Sequence, residues 1–286
     1  CSASFRDAFV LSQGSPDQIA SSIVKNETSS LPGFPVRVAI RRSAAYHVSS
    51  FSSQGPAYDG RFKPDLICPG KTQSSRNQAC STGSMGGTSM AAPVMAGTAS
   101  LVRQYLREGF YPEGSRDAAN STVFDNPSGA LIKALMINSG QRLGGNVVAP
   151  GGSGRVQVPP LPTPSVGFGK VELSQTLPLP GSNFRVYVND TASLVQSDFH
   201  HFCFRVSGDS EALFHTPFKV TVTWMDPASS PSAEHALVND LHLTVIAPTG
   251  SHHFGNNNWV FNKDNSAGPA WQPVYDTLNN VEKVEL

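Results

Sequence analysis

Between Arg76 and Arg103 the chain carries no charged residue, and the middle of that window reads GSMGGTSMAAPVMAG (83–97). An uncharged run of this length must be covered by other elements in a water-soluble protein, so it restricts the fold more than any other feature. Its second half keeps good helix formers and small residues up to Val102, which predicts a helix that is apolar on every side and therefore buried. Gly86 and Gly87 let the backbone approach another segment closely. Ser89 falls in the first turn of that helix, where unpaired N–H groups and the positive dipole end favour an anion. Pro93 has no N–H, so the bond to the Ser89 carbonyl is missing and this turn is locally irregular. A serine at a helix start ordinarily acts as a cap, and that role stands beside the chemical one. A G-x-S-x-G elbow does not fit, because Ala91 stands where the second glycine belongs.

The chain is 286 residues long and 39% hydrophobic, enough for one large or two ordinary domains. Residues 34–40 (FPVRVAI) alternate like a strand, and 64–70 (PDLICPG) form a short apolar run stopped by Pro-Gly. Residues 129–139 (GALIKALMINS) predict a second, amphipathic helix, and the Gly/Pro-rich stretch 143–167 reads as a long loop. From Phe184 onward the pattern changes to strands (FRVYV, FHHFCFRV, FKVTVTW, LHLTVIAP) whose spacing predicts an antiparallel sandwich. The expected division is therefore 1–182 and 183–286.

Composition excludes several functions. Lys+Arg and Asp+Glu are both 21, and no one-sign run offers the footprint that nucleic acid needs. No segment has 18 consecutive apolar residues, so no membrane-spanning helix is expected. Cys1, Cys68, Cys80 and Cys203 show no C-x-x-C spacing for zinc. Sequons at Asn26, Asn120 and Asn189, with only 15% charged residues, point to the secretory pathway. The N-terminal CSASFRDAF carries no export signal and reads as a cut end.

GTSMAAP (87–93), preceded by FSSQGPAYDGRFKPDLICPG (51–70), resembles the segments around the nucleophile of the subtilisin-like serine peptidases, the subtilase family. In that family the first block ends in APG, and Cys68 here replaces its alanine. FGKVELSQTL (168–177) is similar to the family's G-x-G-x-V strand and following helix. LVNDLHLTVIAPTG (237–250), GN at 255–256 and LNNVEKVEL (278–286) resemble the C-terminal β-sandwich of alkaline subtilases. The resemblance covers about residues 46–286 and leaves residues 1–45 outside. It implies an α/β fold: part of a parallel-sheet domain with helices on both faces, then an antiparallel, jelly-roll-like sandwich.

For chemistry, the resemblance implies that Ser89 is the nucleophile and that its own N–H is one oxyanion donor. The family's Asp strand, HGTH helix and AAGN-like asparagine are not among these residues, and the triad order Asp, His, Ser puts them upstream. His47 sits in AAYHVSS rather than HGTH and is not assigned as the base. The substrates implied are proteins or peptides, hydrolysed without any cofactor. Asn239 and Asp240, with Asp276 and Glu282 as neighbours, are of the kind that calcium takes, although turn-capping is their more ordinary role and His242, which replaces an aspartate of the family's NDLDL, is a poor calcium ligand. Cys68 and Cys80 flank a Ser/Asn-rich loop that a disulfide would close, but four cysteines allow three connectivities between which sequence does not choose, and Cys1 and Cys203 are left unplaced. The competing reading is a binding or scaffold module in which GTSMAAP is a relic.

Overall fold

The computed structural model describes residues 47–77, 80–117, 119–120, 124–149, 154–206, 217–256 and 275–286. The strand expected at 34–40, the Asn26 sequon and Cys1 lie outside these residues. Strands β1 (Lys71–Ser75) and β2 (Thr82–Gly86) form an antiparallel hairpin that runs directly into helix α1 (Thr88–Arg107). Helix α2 (Gly129–Asn138) follows, then a hairpin of β3 (Asn146–Val148) and β4 (Arg155–Gln157). In the C-terminal part β5 (Lys219–Thr223) pairs with β8 (Val281–Glu285), and β6 (Thr244–Ile246) with β7 (His252–Phe254), both antiparallel.

The two helices meet through the apolar side chains at the far end of α1. Val102, Tyr105 and Leu106 pack with Leu131, Leu135, Met136 and Leu177. The Tyr105 hydroxyl, buried with its ring, donates to the Pro178 carbonyl at 2.7 Å, and burial pushes its pKa up to about 12. At the start of α2, Ser128 Oγ accepts the Leu131 N–H at 3.0 Å, a cap of the kind that contributes about 1 kcal/mol. The other face of α2 holds the C-terminal strands: Thr223 Oγ1 donates to the Ala130 carbonyl, and Asn138 Nδ2 to Thr221 Oγ1.

A parallel contact joins the segment before β1 to the G-x-G segment. Ile67 N–H donates to the Gly169 carbonyl at 2.9 Å and Val171 N–H to the Ile67 carbonyl at 3.1 Å, while Lys170 also pairs antiparallel with Gln141. Gly167 has φ +57°, and a Cβ there would lie 2.1 Å from the Pro64 carbonyl oxygen, so only glycine fits. The buried Phe62 and Phe168 rings pack edge-to-face beside Ile137 and Val281. Phe62 N–H donates to Asn279 Oδ1 at 2.9 Å, which ties the C-terminal LNNVEKVEL stretch to the KPD block.

Several expectations change. The parallel sheet is represented, among the described residues, by the Ile67–Lys170 bridge, and the helix expected after the G-x-G strand is one 3-10 turn, Leu173–Gln175. Residues 143–167 are not all loop: Val147 and Val156 oppose one another in the β3–β4 hairpin, because β-branched residues suit a pleated surface better than the glycines around them favour a coil. Of the four C-terminal strands expected, FKVTVTW and LHLTVIAP contribute β5 and β6. FRVYV and FHHFCFRV have no ladder partner among the described residues, since a strand-like side-chain pattern does not supply a neighbour. The ladders described are two-stranded, and no closed sandwich is seen among them.

Helix α1 is not buried all round. Val102, Tyr105 and Leu106 are covered, but Ala92, Pro93, Ala96, Gly97, Ser100 and Leu101 are exposed. Its apolar character therefore exceeds what the described elements cover. Expressed alone, residues 1–286 should self-associate through this flank and through the exposed Phe199, Phe202 and Phe204. Size-exclusion chromatography with light scattering should show oligomers or aggregate, and a soluble monomer with one cooperative unfolding transition would contradict this.

Candidate active site

Three backbone constraints place Ser89. The parallel contact fixes Ile67, and the next residues run through Cys68 and Gly70 into β1. The β1–β2 ladder then pairs Lys71 with Gly86, returning the chain beside its starting point. Gly87 N–H donates to the Gly70 carbonyl at 2.8 Å, and a Cβ on Gly70 would lie 3.1 Å from the Gly87 carbonyl oxygen. This is the close approach for which the glycine pair is suited.

Gly87 is the N-cap of α1, with φ 156° and ψ 169°, a region that essentially only glycine occupies. It leaves the helix start without a side-chain cap. Ser89 is the second helical residue and is exposed. The carbonyl of Gly87 takes the N–H groups of Met90 and Ala91, at 3.1 and 3.3 Å. Neither the N–H nor the hydroxyl of Ser89 has a hydrogen-bond partner among the described residues. An exposed hydroxyl and a free N–H at the positive end of a twenty-residue helix suit attack on a carbonyl and stabilisation of the oxyanion that forms. The dipole alone is worth only about 0.3–1 kcal/mol, so it does not replace a base.

His47 is engaged elsewhere: its Nδ1 accepts the Asn146 N–H at 3.1 Å, at the start of β3. Among the described residues, no acid or base hydrogen-bonds to Ser89. Cys68, the departure from the family's APG, donates its thiol to the Ala91 carbonyl at 3.0 Å, in the turn that carries Ser89. Sequence marks this position as unusual, but only the structure shows its contact. The Cys68–Cys80 disulfide is overturned: both thiols are free, as is that of Cys203. Cys68 lies at the base of the β1–β2 hairpin and Cys80 at its tip. Five ladder pairs between them span roughly 15 Å, well beyond disulfide reach.

Asn239 and Asp240 have different partners. Asn239 donates its backbone N–H and side-chain amide to Asp226, both at 2.9 Å, whereas Asp240 faces His242 Nδ1 at 3.7 Å. His242 stacks on Tyr275 and lies 3.7 Å from Glu282 Oε1. Glu282 is buried beneath it and accepts the Leu243 N–H. Burial pushes its carboxyl up to about 8, with Asp276 and Asp240 adding in the same direction. Among the described residues, no three His, Cys, Asp or Glu side chains gather closely enough to hold one ion.

The family model for the subtilase family matches residues 11–175, more than half of the chain. The chain belongs to the subtilase family. The match includes residues 11–45, which sequence motifs alone leave outside, and it stops at the 3-10 turn after the G-x-G segment. Two similar proteins of Dictyostelium discoideum are the serine protease/ABC transporter B family proteins tagD and tagA. They are 31% identical over 286 positions and 32% over 267, each alignment covering 83% of this chain but 15% and 14% of the relative. The serine protease AprX of Bacillus subtilis is 39% identical over 71 residues, covering 20% of this chain and 16% of AprX. The chain thus spans about one seventh of the length of these two Dictyostelium relatives. None of its described helices is long and apolar enough to cross a membrane.

The thiols give a direct check of the geometry around Ser89. Burial pushes the Cys68 thiol above its ordinary value, so its reactive thiolate fraction stays low until the pH passes the normal cysteine range. Cys80 and Cys203 are exposed. Alkylation at neutral pH followed by peptide mass spectrometry should modify Cys80 and Cys203 well before Cys68, with Cys68 catching up as pH rises. Equal rates at the three sites, or a Cys68–Cys80 cross-linked peptide, would refute this arrangement.

Proposed function

We propose that this chain is the serine-bearing part of a subtilase endopeptidase, and that Ser89 forms the acyl-enzyme with protein or peptide substrates. The observation that carries the reading is the exposed Ser89, its N–H without a partner among the described residues, inside GTSMAAP at the start of α1. In this reading Ser89 Oγ attacks the scissile carbonyl while the Ser89 N–H donates to the developing oxyanion. In this reading the family's aspartate, histidine and second oxyanion donor complete the site, and among the described residues none supplies a base to Ser89. The names of the relatives, all serine proteases, support the same reaction class. The three sequons support action in the secretory pathway.

Without a base, the serine hydroxyl is far too weakly acidic to be a nucleophile at neutral pH. Loss of triad members from a serine protease leaves only about 10³–10⁴-fold acceleration over water. Residues 1–286 alone should therefore show no detectable hydrolysis of casein or short chromogenic peptides. A protein extended through the Asp and His segments should be active and should lose at least about three powers of ten in rate in Ser89→Ala. Inactivity of the extended protein would favour the scaffold reading. Activity of the isolated chain that Ser89→Ala abolishes would show that a base lies within it.

A further inference from the structure

We infer that Asn189 carries an N-linked glycan. Its sequon, Asn189-Asp190-Thr191, is exposed at the asparagine and the threonine. Asn189 Oδ1 accepts both the Thr191 N–H, at 3.0 Å, and the Thr191 hydroxyl, at 3.2 Å. Asn189 Nδ2 has no acceptor among the described residues. The acceptor half of the amide is thus satisfied locally while the nitrogen that would bear the sugar is free, so substituting it breaks no bond of the fold.

The residues around it are anchored. Val188 N–H donates to the Tyr111 hydroxyl at 3.1 Å, and the Asp190 carboxylate accepts the backbone N–H and hydroxyl of Ser128, the residue that caps α2. The sequon is thereby held on the surface beside a helix start, with the Asp190 charge committed to that start. Asn120 differs, being half-buried. A hydrated sugar also suits the neighbourhood, because Tyr187, Leu194 and Val195 are exposed apolar side chains in the same stretch.

The modification is a glycosyl transfer from a lipid-pyrophosphate-linked oligosaccharide, catalysed by the host's transferase. The bond from Nδ2 to the sugar's anomeric carbon forms as the bond from that carbon to the pyrophosphate oxygen breaks. The lipid pyrophosphate departs with the electron pair, and Nδ2 gives up one proton.

The inference rests on the secretory reading, and its test is arranged to fail separately. The full chain is expressed behind a cleavable secretion leader in eukaryotic cells, and both the secreted and the retained pools are digested. The tryptic peptide 186–205 holds Asn189 as its one sequon. Enzymatic deglycosylation in heavy-oxygen water should turn Asn189 into heavy-labelled aspartate in most copies. Asn189→Gln and Thr191→Ala should each lose one glycan's mobility step, while Thr191→Ser keeps it. A peptide unmodified in most copies of both pools would overturn the inference. Because the leader supplies access to the transferase, that result would count against Asn189 alone and leave the peptidase reading untouched.

Discussion

The Gly87 N–H bond to the Gly70 carbonyl is the constraint on which the rest of the site depends. It holds the start of α1 against the segment that enters the β1–β2 hairpin, and a side chain at Gly70 would crowd it. Contacts on both sides of Gly70 in the chain hold its segment in place. Ile67 is set by the parallel contact with Lys170, that contact is held by the packing of Gly167 on Pro64, and Phe62 and Phe168 close the apolar space beneath. From this frame Ser89 emerges with its hydroxyl and N–H unpartnered among the described residues. The helix start just before it carries Gly87 rather than a side-chain cap.

Helix α1 links this frame to the core. Its last turns are buried with α2, and α2 in turn receives the C-terminal strands through Thr221 and Thr223. Its first turns are uncharged, and Thr88, Ser89, Ala92, Pro93, Ala96 and Gly97 in them are exposed. The contrast within one helix explains why a segment so apolar contributes only three buried residues. The last turns form core, whereas the half that carries the serine keeps an exposed flank at Ala92, Pro93, Ala96 and Gly97.

How much of this was legible in the sequence depends on whether the determinant was local. The helix beginning at Thr88, the glycine close approach and the second helix over 129–138 follow from composition and periodicity within a few residues. The β3–β4 hairpin was hidden because its valines sit among glycines and prolines. The strand pattern of 184–188 and 199–206 was legible as extension but not as pairing, since pairing is set by a neighbour that periodicity does not name. The Cys68–Cys80 bridge failed for a similar reason: sequence distance said nothing of the hairpin that holds the two apart. Residues 11–45 belong to the family match although no single motif in them shows it.

The central claim is that Ser89, and no other serine, is the nucleophile. Peptide mapping after fluorophosphonate treatment of the extended protein tests it directly. The account predicts one adduct, on the peptide containing Ser89, formed at neutral pH and absent from Ser89→Ala. An active extended protein whose adduct lies on another serine, or whose Ser89→Ala variant still labels, would contradict it.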